Sequence, residues 1–160
     1  SLQLSVVGMM SKNNGWGFYE KLAANKVMIV QGNEQVSDMI KRGERAIAVG
    51  ALDSYAAEDR KEGHNIKTIF PTDGVFIIPS PTAIVKGSPN PNAAKLFADF
   101  MLSDQVQKLF PESGGYAARV DIQPPEGSPP VSQLKVIPVD YDYIEKESAR
   151  IKRKFNETFQ

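Results

Sequence analysis

Apolar positions recur at helical spacing in several windows of the chain. Phe18 and Leu22 are four apart in the 18–25 segment, with Asn25 placed to cap its end. Val36, Met39 and Ile40 share one face over 34–42, and Gly43 follows as a stop. A third helix is expected over 54–61, closed by Gly63. The best-patterned window lies further on. Asn90 sits at a cap, Pro91 takes the first helical position, and Ala93, Phe97, Phe100 and Met101 form one stripe. Ser103 restarts a helix through Val106, Leu109 and Phe110 that Pro111 should halt. At the C-terminal end Ile144, Ser148, Ile151 and Phe155 mark the inner face of a long helix. Its first half is acidic (Asp140, Asp142, Glu145, Glu147) and its second basic (Arg150, Lys152, Arg153, Lys154), matching the helix dipole.

Between these windows lie short apolar runs without alternation: 27–30, 46–52, 66–70, 75–78 and 83–85. Such runs suit strands buried on both faces of a sheet flanked by helices. The alternation of the two kinds of segment predicts an α/β architecture. Gly32-Asn33 and Pro71 to Gly74 read as turns. Gln123 to Pro130 (QPPEGSPP) is a Pro-rich surface loop or linker. The 11–17 stretch (SKNNGWG) is most simply a loop entering the first helix, with Trp16 packing in the core or at a lobe edge.

Composition narrows the function classes. The 160 residues carry 19 Lys plus Arg against 19 Asp plus Glu, for a net charge of zero. A nucleic-acid or polybasic membrane role needs a basic excess that is not there. With no cysteine and one histidine, thiol nucleophiles, disulfides, Cys-based zinc sites and His-rich metal sites are excluded. No stretch approaches the ~18 apolar residues of a membrane span. Ser1 to Gly8 lacks the basic start and apolar run of an export signal. The chain opens without Met, as a piece cut from a longer one does.

His64, between Gly63 and Asn65, reads as an exposed loop residue. The acidic pairs Asp38/Glu44 and Glu58/Asp59 read as solvated faces with basic neighbours. Ser113-Gly114-Gly115 lacks the lysine and spacing of a phosphate loop. Two places could hold a ligand. Asn33 opens a helix, whose unpaired N–H groups and partial positive charge favour an anion. Asp53, Ser54 and Tyr55 stand where an apolar run passes into a helix, a usual ligand position in α/β proteins. Asp53 or Ser54 serves equally as a plain helix cap there.

The order of these pieces resembles one family. GWGFYEKLAANK, QGNEQVSDMIKRGERAIAVGAL, FPTDGVFIIPSPTAIVKGSPNPNAAKLFADFMLSDQVQKLF and GYAARVDI follow one another as in the later part of the periplasmic substrate-binding proteins of ABC importers. The likeness is to the branch for ferric iron and small organic anions. It rests on the joint order of Gly43-Glu44, Pro71-x-Asp73-Gly74 and Asn90-Pro91-x-Ala93-Ala94-x-x-Phe97.

The resemblance implies a type II periplasmic-binding lobe, a mixed sheet flanked by helices with crossovers to a first lobe that lies outside this chain. It divides the chain into a second-lobe core (1–74), a return segment packing on the first lobe (75–118), and a hinge-proximal tail with the C-terminal helix (119–160). It implies a non-enzymatic protein without cofactor, in the periplasm or tethered outside a Gram-positive cell. Such a protein closes on a solute and hands it to membrane permease subunits. Ferric binders of the branch use adjacent tyrosines; here Tyr55 is followed by Ala56, so a dityrosyl ferric site is not expected. A phosphonate, phosphate ester or carboxylate fits better, with Asn33, Asp53, Ser54 and Tyr55 as contacts. Ferric transport, with Tyr55 as ligand, is the alternative within the family. A regulator's ligand-sensing domain or a small enzyme is the alternative outside it. Self-association through the face left by the first lobe is also expected.

Overall fold

A computed structural model describes residues 2–160; Ser1, the head of the 1–8 segment, lies outside the described residues. Eight α-helices follow in chain order among the described residues: α1 (Leu2–Asn14), α2 (Gly17–Ala23), α3 (Asn33–Lys41), α4 (Asp53–Lys61), α5 (Pro91–Met101), α6 (Asp104–Gln107), α7 (Leu109–Glu112) and α8 (Tyr141–Phe159). A single 3₁₀ turn (Val131–Gln133) precedes α8.

The expected mixed sheet is not formed among the described residues. The predicted strands 27–30, 46–52, 66–70, 75–78 and 83–85 run as irregular chain. One isolated parallel bridge, Val75 to Val136, stands in for a ladder. Its bonds run from the Val75 N–H to the Lys135 carbonyl and from the Ile137 N–H to the Val75 carbonyl, both 2.9 Å. The physical reason lies in pairing. A strand exists only with a neighbour to complete its hydrogen bonds, and parallel strands also need both faces covered. Here Ile47, Ile69 and Val85 are each more than three-quarters exposed, so the apolar runs lack the burial that two covered faces provide.

The main core lies between the two ends of the chain. Met9 on α1 packs with Ile144 and Ile151 on α8, and Leu4, Val7, Trp16, Phe76, Val139 and Tyr143 close around them. Burying each of Met9, Ile144 and Ile151 is worth about 1.5–3 kcal/mol relative to exposure, and the partly buried side chains around them add less. Lys12, near the end of α1, pairs at 2.5 Å with Asp140, just ahead of α8, while Gly8 lies against Ile144 and Ile151. The two helices therefore run antiparallel. Asp140 also caps α8, its side chain accepting the Tyr143 N–H at 2.9 Å. Tyr19 on α2 packs edge-on against Phe155 and Phe159 near the far end of α8. Trp16, expected in the core or at a lobe edge, is partly buried against this core.

α1 replaces the loop expected before residue 17. Its buried face is Ser5, Gly8, Met9 and Ser11, mostly small residues that carry no hydrophobic periodicity and let α8 approach closely. Pro111 does not stop the chain's turns either. It sits within the first turn of α7, where its missing N–H has no intrahelical partner to lose.

α3 and α4 make a second, parallel pair. Each ends as its glycine predicts: Gly43 and Gly63 take positive φ (71° and 91°) just past the helices. Returning bonds run from the Glu44 N–H to the Met39 carbonyl and from the His64 N–H to the Asp59 carbonyl. This is the left-handed helix end that glycine adopts without steric penalty.

Candidate functional site

The parallel pairing of α3 and α4 is held by one polar contact deep in the seam. Ser37 Oγ donates to Asp59 Oδ2 at 2.6 Å, and Lys41 Nζ stands 3.2 Å from Asp59 Oδ1. Asp59 is therefore not the solvated residue its sequence setting suggested; it is 5% exposed. The bond from Lys41 to Asp59 raises the Lys41 pKa above the usual lysine value, against the lowering effect of partial burial. A buried carboxylate needs such partners, since an unpaired charge in the interior is strongly disfavoured.

Two openings flank this seam. The larger, about 340 Å³, is lined by Glu34, Asp38, Glu58, Asp59 and Glu62 with Ser37, Lys41 and Tyr55. Five carboxylates against one ammonium repel an anion. The smaller, about 50 Å³, runs along the seam from the starts of α3 and α4 and is mainly apolar. Asn33, Val36, Ile40, Leu52, Tyr55 and Ile66 line it, with the Asp59 carboxylate, held by Ser37 and Lys41, at its edge.

Of the four residues singled out in the sequence, two come together. Asn33 and Tyr55 line the same small hollow. Asn33 is the first residue of α3, and its side-chain oxygen accepts from Gln3 Nε2 at 3.3 Å. The same Gln3 nitrogen donates to the Gly50 carbonyl at 3.0 Å, so the start of α1 buttresses this end of α3. Glu34 is also in the first turn of α3.

Asp53 and Ser54 turn elsewhere. Asp53 Oδ2 accepts from Ser128 Oγ at 2.6 Å, Oδ1 accepts from Thr68 Oγ1, and Arg60 Nη2 lies 4.0 Å from Oδ1. The Ser54 backbone meets Gly114. Neither lines the hollow. His64 is an exposed loop residue whose Nε2 lies 3.8 Å from a Glu62 carboxylate oxygen. Among the described residues no cluster of three or more His, Cys, Asp or Glu could hold a metal. No described helix is long and apolar enough to cross a membrane.

The fold of α3 and α4, with their starts facing one hollow, lies inside the segment that a family model matches: residues 5–116, under the description bacterial extracellular solute-binding protein. The chain belongs to that family. A Haemophilus influenzae relative described only as an uncharacterized protein is 30% identical over 151 residues, 92% of this chain and 42% of its own length. Two Salmonella relatives, from Salmonella typhimurium and Salmonella paratyphi A, are each named "Putative 2-aminoethylphosphonate-binding periplasmic protein". Each is 28% identical over 120 residues, 71% of this chain and 35% of the relative. The chain thus spans about two-fifths or less of the length of these relatives. No solved structure matches it.

Two features escaped the sequence reading. The Ser37–Asp59–Lys41 contact joins residues 22 apart on different helices, beyond the reach of any local pattern. Gln107 is 3% exposed. Its Nε2 donates to the Met101 carbonyl at 2.8 Å, and its Oε1 accepts the Ala118 and Arg119 N–H groups at 2.8 and 3.2 Å. It ties the 116–119 loop to the α5–α6 corner.

Proposed function

We propose that this chain is part of the solute-binding component of an ABC-type importer and helps capture a small anionic solute for delivery to membrane permease subunits. The observation that carries the reading is the family match over residues 5–116. The name given to the Salmonella relatives supports a phosphonate; phosphate esters and carboxylates share its anionic oxygens. The role is binding rather than catalysis, and the setting is the periplasm or the outer face of the cell.

Within the chain, Asn33 and Tyr55 are the contacts for the solute, at the hollow beside the starts of α3 and α4. The first N–H groups of α3 add the partial positive charge of a helix start. A hollow of about 50 Å³ takes a headgroup, not a whole solute; ligand pockets run to roughly 300–1,000 Å³. The remainder of the cleft comes from polypeptide outside this chain, in keeping with the chain's share of its relatives' length.

The test is a thermal-shift panel on the full-length protein with 2-aminoethylphosphonate, inorganic phosphate, citrate and ferric ion. A ligand present at 100 times its Kd stabilises by about 2.7 kcal/mol. The reading expects such a shift with the phosphonate or another of the anions. A shift with ferric ion alone, or with none of the four, contradicts it.

A further inference from the structure

We propose that Asp53 is a positioning residue, fastening a strap made of residues 114–130 onto the first turn of α4, and is not a contact for the solute. The strap touches α4 at several points. Gly114 packs so tightly on the Ser54 backbone and Ala57 that a Cβ there would lie within 3.0 Å of both. Ser128 Oγ bonds to Asp53 Oδ2 at 2.6 Å, across 75 residues of sequence. The Arg60 guanidinium lies beneath Gly127. Tyr116 OH donates to the Pro129 carbonyl at 2.7 Å, closing the strap on itself. Pro125 is fully buried, and the Ser128 N–H returns to the Pro125 carbonyl at 3.0 Å.

Asp53 sits at the junction of three segments. Thr68 Oγ1, which also accepts from Arg60 Nη1 at 3.2 Å, donates to one carboxylate oxygen; Ser128 donates to the other. With each oxygen holding a hydroxyl from a different segment, the carboxylate fixes where α4 begins. Tyr55, two residues on in the same turn, lines the hollow, while the Asp53 side chain is turned to Ser128. Its negative charge would oppose an anionic solute, and the neighbouring Arg60, at 4.0 Å, offsets that charge locally. The role of Asp53 is thus exerted through Tyr55. The solute half of this inference rests on the proposed function; the strap half stands without it.

The experiment uses the full-length protein and the variants Ser128→Ala, Asp53→Ala and their double. Asp53→Asn is the substitute if Asp53→Ala does not fold. Amide hydrogen exchange at residue 128 and at Ala57, buried within α4, is measured, together with the Kd for 2-aminoethylphosphonate and for inorganic phosphate. Hydrogen bonds to a charged group are strong enough for their loss to speed local exchange by about tenfold or more. The inference expects each single variant to speed exchange at both amides, with the double no faster than the faster single. It expects Ser128→Ala to weaken anion binding in the same direction as Asp53→Ala. Native exchange in Ser128→Ala overturns the strap, whether or not any anion binds. A strap that loosens as expected while only the Asp53 variants change the Kd makes Asp53 a solute contact and overturns its positioning role. If no anion binds the parent protein, the proposed function fails and the exchange data alone decide the strap.

Discussion

Ser37 on α3 donates its hydroxyl to Asp59 on α4 at 2.6 Å, and both side chains are buried. This bond, backed by Lys41, fixes the relative height of the two helices whose starts face the candidate site. Replacing Ser37 with Ala leaves a buried carboxylate oxygen without its donor, at a cost of about 1–3 kcal/mol. Urea denaturation of the full-length protein should show a lower midpoint with an unchanged slope. Lys41→Met should lower it further, because it strands the charge rather than one lone pair. A Ser37→Ala variant as stable as the parent would show that the contact does not hold the pair.

Gly114 and Gly8 separate two kinds of tight packing. A Cβ on Gly114 would meet the Ser54 carbonyl at 2.9 Å from a backbone at φ 78°, and neither can yield. Gly114→Ala should cost about 1–3 kcal/mol. A Cβ on Gly8 would meet the ends of Ile144 and Ile151, which can rotate, and alanine recovers about 1 kcal/mol of helix propensity. Gly8→Ala should be close to neutral and Gly8→Val clearly destabilising. Melting temperatures of the three variants check the ranking; Gly8→Ala proving worse than Gly114→Ala would reverse it.

Tyr19 should be the slowest of the five tyrosines to ionise. Burial pushes its phenol up to about 12, because the phenolate would lose its hydration. The folded value lies above the unfolded value of about 10. Its contribution to stability is therefore complete below pH 10 and is lost as pH rises through about 12. An ultraviolet titration should show a late phase that disappears in Tyr19→Phe. Tyr116 is also raised, by burial first and by the nearby Asp53 charge second, partly offset by Ser128.

Asp140 gives the opposite sign. The Lys12 ammonium, then the Tyr143 N–H, hold its carboxyl below the usual carboxylate value. Its contribution is present above the unfolded value of about 3.9 and is lost as pH falls through the lower folded value. Acidification should loosen α1 from α8, seen as faster amide exchange in α1. Asp140→Asn, which keeps a capping side chain but loses the charge, should reduce that acid step. Raised salt should weaken the step too, since the pair is partly exposed.

The exposed face of α5 carries no packing load within the described residues. Phe97 and Leu96 are 58% and 72% exposed. Phe97→Ser in this chain taken alone should change stability by less than about 0.5 kcal/mol. A loss of several kcal/mol would mean the stripe is covered by something the chain itself supplies.

These elements also show what the sequence could and could not convey. α3, α4, α5 and α8 were legible because apolar spacing, Pro91, Gly43 and Gly63 act within a few residues. α1 was not, because Ser5, Gly8 and Ser11 bury a face with no apolar signal. The runs around Ile47 and Ile69 look like strands locally, yet a strand is defined by its neighbour, and none pairs with them among the described residues. At the candidate site, Asn33 and Tyr55 were singled out by their places at helix starts, and the structure sets both on one hollow. Whether Asp53 faces solvent or Ser128 depends on a contact 75 residues away, which no spacing rule reaches.

The most direct test of the central claim is calorimetric titration of the full-length protein with 2-aminoethylphosphonate, beside its Asn33→Ala and Tyr55→Ala variants. The account predicts saturable binding that each substitution weakens by about tenfold or more, the value of one hydrogen bond to a charged solute, with folding intact. Binding unchanged in both variants would place the solute elsewhere and contradict the assignment of this hollow.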